Sequence, residues 1–433
     1  MPAHPFQLRR LVVAALGAAV LVLAGCTAAP AAAPTVVRVP ADAPTLSAAV
    51  ELVAEGGLVL ADPGTYREQV LVDKPDVTVR GTDRNRTVID GEGIRPYGIV
   101  AVADGVSVEN LTVTGATFYG VLVTGLHDED GPTAHGGSGY DRLDPERFPP
   151  VQRFAIDHVT AYNNGLYGLY AFDAQHGVIR DSYASGSADS GIYVGQCREC
   201  GILVTGNVAE HNAIGFENAN ASDSVWIVGN RFTGNRIGMT LLSNHREAFV
   251  PQRGNLVAGN LIADNAEGTS PAQADGGFGV GVGIGGGTDN VFADNRIEGN
   301  PVAGILLTST EDLAPTGNRF RGTAFAGNGV DIGNATTARA PAQGNCLDGE
   351  ATTAPTGLFS VCAGVQPAAA PGELPTVPVP RGVSFLRIPP PPAQPDMADV
   401  QAPARRLPAT VPAPDPAAHP LPARDFLADR SRR

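Results

Sequence analysis

A single lysine, Lys74, serves the whole 433-residue chain, and every other one of its 30 Lys and Arg residues is arginine. Schiff-base chemistry therefore has no candidate beyond one residue in an early turn. Aromatic residues make up only 6% of the chain, with one tryptophan. Charge is equally one-sided: the formal net charge is −14 and no basic cluster occurs, which excludes nucleic acid as a partner. Long apolar runs are missing except for residues 11–23, too short for a stable membrane-spanning helix. Methionine is scarce, and neither Met239 nor Met397 neighbours a cysteine in sequence, which argues against copper(I) delivery through sulfur ligands.

What is plentiful is asparagine with fixed spacing. Asn207/Asn212, Asn230/Asn235, Asn260/Asn265 and Asn295/Asn300 are pairs with members five residues apart. Their starts are separated by 23, 30 and 35 residues, one period near 23 lengthened twice by insertions. Short apolar runs flank each pair, and a glycine opens the next run at Gly191, Gly215, Gly238 and Gly304. A period of this length built from strands and turns implies stacked coils, a single-stranded parallel β-helix of the all-β class. Asparagines that recur at one turn can hydrogen-bond up the stack and satisfy backbone groups inside it. Thr45 to Ala54 has helical apolar spacing, with Thr45 as cap and Gly56-Gly57 as stop, and predicts a short helix closing the first coil. About eleven coils at ~4.8 Å would give a body ~50 Å long.

The segments divide as 1–25, 26–34, 35–365 and 366–433. Arg9-Arg10, the apolar stretch and Leu23-Ala24-Gly25-Cys26 resemble a bacterial lipoprotein signal with its lipobox. The resemblance implies cleavage before Cys26, a lipid on its thiol, a tether over 26–34, and an extracytoplasmic protein anchored to a bacterial membrane. Residues 35–365 would be the β-helix. Seventeen of the 36 prolines fall between Pro367 and Pro422, so the tail from 366 is expected to be largely disordered, with 383–388 apolar enough to dock on the flank. In an oxidising compartment Cys346 and Cys362 are expected to pair, and Cys197-x-x-Cys200 to form a local disulfide. That motif lies between two strands, where thioredoxin-like chemistry would need a helix, and no second pair completes a zinc set.

Three stretches carry a family resemblance. Asp62 to Glu68, followed by Val77 to Gly81 and Thr87 to Gly91, resembles the opening coils of pectin methylesterase-like helices. Gly165 to Tyr170 and Ser190 to Gln196 resemble a bacterial family of parallel β-helix repeat proteins, and the paired-asparagine coils match the repeat seen also in the copper-binding accessory protein of nitrous oxide reductase. The chain thus resembles the right-handed parallel β-helix superfamily of pectate lyases, polygalacturonases and alginate epimerases, which implies a right-handed coil and a polysaccharide partner. No catalytic motif of those enzymes transfers: the histidine of the epimerase signature is replaced in Asp144-Pro-Glu-Arg147.

Chemistry is expected where insertions leave the coils. The longest separates Thr124 from Arg153; a second, residues 243–253, leaves the same corner, and a third, 267–277, a different one. With Gly168, Gly191, Gly215 and Gly238 equivalent, Leu169, Ile192, Phe216 and Met239 point inward, and Tyr170, Tyr193 and Glu217 form an outward column. Asp173, Gln196 and Asn220 follow at the next bend. An exposed tyrosine ladder beside acids and amides suits a sugar chain. His127, His135, Tyr140, Arg147 and Glu217 are the candidates for proton transfer in an elimination, epimerisation or hydrolysis. The carboxylates Asp128, Glu129, Asp130, Asp141 and Asp144 are the candidate calcium ligands. The leading expectation is a surface lipoprotein that binds and processes a polysaccharide. A non-catalytic surface scaffold or adhesion module is the first alternative, and an accessory role in metal or respiratory-enzyme maturation the second. Cys26→Ala is expected to move the protein out of the membrane fraction; detergent-phase partitioning unchanged by it would overturn the anchor.

Overall fold

Three sheets of short parallel strands wind around one apolar interior in the computed structural model, which describes residues 32–128, 131–132, 143–274, 276–359, 361–362 and 368–432. Among the described residues sheet I has 12 strands, from Val36–Val39 to Cys346–Asp348, and sheet II has 10, from Gly64–Tyr66 to Ala324–Ala326. Sheet III has 11, from Val70–Val72 to Thr353–Ala354. Each coil visits the sheets in turn, so each strand pairs with its counterpart one coil on. Sheet III shows the register: Leu169, Ile192, Phe216, Met239, Val282 and Ile305 are successive partners, all fully buried in the central core. The inward assignment made from the glycines holds.

The first coil is closed by the helix Leu46–Leu52. Thr45 caps it, its hydroxyl accepting from Ala48 N at 3.1 Å. Glu68 gives the run Asp62 to Glu68 a physical role: its two carboxylate oxygens accept from Leu46 N and Ser47 N, each at 2.9 Å. A carboxylate there satisfies the orphan donors and the positive end of the helix together.

Amides line all three corners. At the corner from sheet I to sheet II, Asn207, Asn230 and Asn260 each donate their backbone N–H to the side-chain oxygen of the next asparagine, at 2.9–3.0 Å, ending on Asn295. Their Nδ2 groups reach back to the carbonyls of Ile179, Val204 and Ile227. A second ladder runs Asn212, Asn235, Asn265, Asn300, Asn328 between sheets II and III. A third, from sheet III back to sheet I, runs Asn255, Asn290, Asn318, Asn345 and lies outside the four asparagine pairs of the sequence pattern. These side chains are buried except for Asn328, which is partly so.

Both expected disulfides are present, Cys197–Cys200 and Cys346–Cys362. The tail departs from expectation. Residues 368–432 lie against the coils instead of standing free in solvent. Arg84 donates to the Pro395 carbonyl, Arg80 to Val400 and Ala402, Arg231 to Phe426 and Arg296 to Pro422. Tail residues reciprocate: Arg430 donates to Gly206 O, and Asp396 accepts from Arg84 N and Asn110 Nδ2. Ile388 is buried at 4% exposure, so the 383–388 segment docks as expected. Composition misjudged the rest because a proline-rich chain loses little entropy on docking and offers many carbonyls to arginine donors.

Removing one rung of a ladder strands the amides on both sides of it. Asn230→Ala or Asn260→Ala is expected to destabilise the domain by about 1–3 kcal/mol. Unchanged melting temperatures for both would show that these amides face water.

Candidate functional site

The outer face of sheet III is where the expected column lies, and its register is as read. Tyr170 pairs with Tyr193, Tyr193 with Glu217, and Glu217 with Thr240. The first two insertions leave the corner from sheet III to sheet I, and the third leaves the corner from sheet II to sheet III. Exposure is a different matter. Tyr170 is 0% exposed, Tyr193 2% and Glu217 6%, so the column is no open platform. Tyr167, in the turn before the strand, lays its ring 4.5 Å from Tyr170 and 4.7 Å from Tyr193. Tyr119 from the preceding coil stacks on Tyr167 at 5.6 Å. The result is an aromatic cluster on the outside of the sheet, separate from the central core. Two tyrosines three residues apart in Gly165-Leu-Tyr-Gly-Leu-Tyr170 were the signal that one ring could fold back on the other.

Carboxyl groups collect at the upper end of this cluster. Glu217 accepts from Ser190 Oγ and is hydrogen-bonded to Asp189. Burial, then the Asp189 charge, pushes its carboxyl well above the usual carboxylate range. Asp189 in turn accepts from Gln273 Nε2 at 2.8 Å, and Gln196 Nε2 donates to Glu247. Gln273 comes from the third insertion and Glu247 from the second, so both loops fold over the face from opposite corners. Asp189 and Glu247 were missed as partners of Glu217 because contact between loops leaves no periodic trace.

The bend residues Asp173, Gln196 and Asn220 all take positive φ, +55°, +57° and +49°, which turns the chain from sheet III into sheet I. Asn220 and Gln196 are fully used by the second insertion: Asn220 Nδ2 donates to Asn244 O and Ala248 O, and Gln196 Oε1 accepts from Ala248 N. Asp173 differs. It is 1% exposed, neither carboxylate oxygen has a hydrogen-bond partner, and burial raises its pKa to about 7.

Beside Asp173 opens a cleft of about 370 Å³, at the base of the first insertion. His127, Arg147, Phe148, Asp104 and Gln152 line it, with Gly125 at its edge. Gly125 has to be glycine: a Cβ there would stand 2.2 Å from Pro149 O and 2.7 Å from Asp173 Oδ2. The Asp173 carboxyl therefore lies against Gly125, one of the residues lining the cleft. The Arg147 guanidinium lies 4.6 Å from the Phe148 ring centre, and His127 Nδ1 is 3.3 Å from Gly125 O, leaving Nε2 for a ligand. His127 and Arg147, 20 residues apart in sequence, thus share one wall.

His135, Tyr140, Glu129, Asp130 and Asp141 lie outside the described residues. Asp128 and Asp144 are exposed, and Asp144 Oδ1 caps Glu146 N at 3.0 Å. Among the described residues two trios bring metal-binding atoms together, Asp157/His158/Asp181 and His245/Glu311/Asp312, and neither includes Asp128 or Asp144.

Residues 91–250 match a family model described as a right-handed beta helix region. Among solved structures, the A-module of a mannuronan C-5 epimerase from Azotobacter vinelandii is 17% identical, with 70% of this chain and 94% of that chain covered and a TM-score of 0.46. The pectate lyase Pel9A is 16% identical over 69% of this chain and 73% of its own, with a TM-score of 0.37. A DFA-IIIase from Arthrobacter chlorophenolicus A6, in complex with DFA-III, is 17% identical over 68% and 80%, with a TM-score of 0.39. No curated protein matches the chain.

The buried carboxyl of Asp173 makes stability pH-dependent in a defined direction. Its pKa is raised from 3.8 to about 7, so between those values the folded protein keeps a proton the unfolded chain has lost. Stability therefore falls as pH rises from about 4 to 7, by an upper limit of about 4 kcal/mol at ~1.4 kcal/mol per pK unit. Asp173→Asn is expected to flatten that slope and raise the melting temperature at alkaline pH. A slope unchanged by the substitution would show a solvated carboxylate.

Proposed function

We propose that this right-handed parallel β-helix, pectate lyase-like in fold, binds an acidic polysaccharide in the cleft at the base of its first insertion and performs proton-transfer chemistry on it there. The observation that carries the reading is the convergence of His127 and Arg147 in one open cleft, with the Asp173 carboxyl directly behind Gly125. An arginine beside an aromatic ring can pair with a sugar carboxylate while the ring supports the apolar face of the sugar. Neutralising that carboxylate acidifies the proton alpha to it. His127, which lines the same cleft, is the group to remove that proton, imidazole being the side chain most often used as a general base. Returning a proton to the opposite face inverts the carbon. Expelling the glycosidic oxygen from the beta carbon, with a proton delivered to it, cleaves the chain and leaves a double bond. Asp173, against Gly125 with its pKa raised to about 7 by burial, is a buried group able to hold or release a proton at neutral pH. A lipid on Cys26 would keep this chemistry at the membrane surface.

The non-catalytic alternative has its own support, because the tyrosine column is closed and forms packing instead of a platform. The two readings part on turnover. Polyuronates incubated with the full chain are expected to yield an unsaturated product by ultraviolet absorbance, or a changed epimer ratio by proton NMR. His127→Ala is expected to lower the rate by about 10²–10⁴-fold, as loss of a general base does. Arg147→Ala is expected to act mainly on KM. Binding without product, or turnover indifferent to both substitutions, would exclude this cleft as a catalytic centre.

A further inference from the structure

Arg236 sits where the chain turns from Asn235 into the strand Ile237–Leu242, at the corner between sheets II and III. It is 2% exposed, yet its guanidinium is poorly satisfied. Nη2 donates to the Pro380 carbonyl of the tail at 2.6 Å, and the group lies 4.9 Å from the Phe278 ring centre. Nε and Nη1 have no hydrogen-bond partner. Among the described residues no carboxylate pairs with it, and burial alone lowers its pKa.

Arg84 shows how the same fold treats a buried guanidinium it needs for structure. That side chain, 0% exposed, donates from Nε to Thr160 Oγ1, from Nη1 to Asp181 O and Pro395 O, and from Nη2 to Val159 O. All of its nitrogens are engaged, whereas Arg236 has two idle. Burying charged donors without acceptors is destabilising, and Arg236 carries two such nitrogens where Arg231 and Arg432 each carry one.

A second unmet donor lies at the same crossing. Ser270, in the third insertion, is fully buried and its hydroxyl has no partner. Its carbonyl accepts from Val383 N at 3.2 Å, three residues along the tail from the Pro380 that holds Arg236. Two residues before Ser270, a Cβ on Gly268 would stand 3.0 Å from the Pro380 ring. Tail and insertion thus cross over Arg236. Gly276, Gly277 and Gly279, all at positive φ, flank Phe278 and hold its segment in a backbone conformation that glycine adopts without strain.

We propose that Arg236 and Ser270 form an oxyanion-binding site beneath this crossing, which takes a carboxylate or sulfate group. A cationic fork with free N–H groups and a free hydroxyl is a donor set for several oxygens on one centre, and charge-assisted bonds to Arg are the strong kind. A halide offers no such set of separate acceptors. The site stands apart from the cleft chemistry: either can fail without the other.

The test uses the full chain, titrated with sodium sulfate, sodium glucuronate and, at matched ionic strength, sodium chloride, with melting temperature as the readout. Sulfate or glucuronate is expected to raise the melting temperature in a saturable way that chloride does not reproduce. The more effective of the two anions identifies the source of the oxyanion. In Arg236→Met the half-saturating concentration is expected to rise at least about tenfold, and Arg236→Lys is expected to recover part of the effect. Without added oxyanion, Arg236→Met is expected to melt no lower than the parent chain. Should Arg236→Met fold poorly, Ser270→Ala is expected to weaken the same saturable shift. A shift equal to that in chloride, or one that persists in both Arg236→Met and Ser270→Ala, would overturn the site.

Discussion

Each coil must turn around an apolar interior with its backbone N–H groups paired, and from Asn207 onward stacked asparagine amides meet that demand. A side-chain oxygen accepts a backbone N–H from the coil below and the Nδ2 of the same amide donates to a carbonyl of that coil, so each rung depends on its neighbours. Three such ladders fix the rise and phase of the coils. Once phase is fixed, positions on the outer faces follow: Tyr170, Tyr193 and Glu217 fall in line because Asn212 and Asn235 hold the preceding corner. The same constraint allows long insertions only beyond a corner, and that is where the cleft and the roof over sheet III arise.

The outside of the coil is governed by arginine. Beside their ion pairs, several arginines act as multiple donors to carbonyl oxygens, a role for which the planar guanidinium is suited. The proline-rich tail provides those carbonyls. Its contacts with Arg80, Arg84, Arg231, Arg236 and Arg296 run from early coils to late ones, so the tail ties the outer wall together lengthwise. Arg231 leaves its buried Nε unpartnered, and Arg236 leaves two nitrogens, Nε and Nη1.

The fold was legible because ladder residues are both regularly spaced and chemically unusual: buried asparagine is rare without a partner. Helix cap, both disulfides, inward register and insertion corners could be read from residue type and spacing. Asn255, Asn260 and Asn265 carry the same five-residue step as the pairs, so the third ladder was present in the pattern and needed only to be followed one member further. Exposure was not legible. Whether Tyr193 faces water depends on Tyr167 and on loops that close from other coils, and such contacts obey no period. The tail misled for a related reason. Low hydrophobic content signals disorder when a segment must bury its own core, but this one is held by polar donors on a surface already built. Of the site, His127 and Arg147 were named from the first insertion, while their convergence and the unpartnered state of Asp173 required the coordinates.

The coils depend on buried amide ladders, and hydrogen exchange measures them directly. The backbone N–H groups of Asn207, Asn230 and Asn260, which donate to side-chain oxygens of the next rung, are expected to exchange as slowly as the central strand amides of sheet III, only through global unfolding. Exchange of these three amides at the rate of exposed turn residues, while the strands stay protected, would show that the corners are solvated and that something other than asparagine stacking sets the coil.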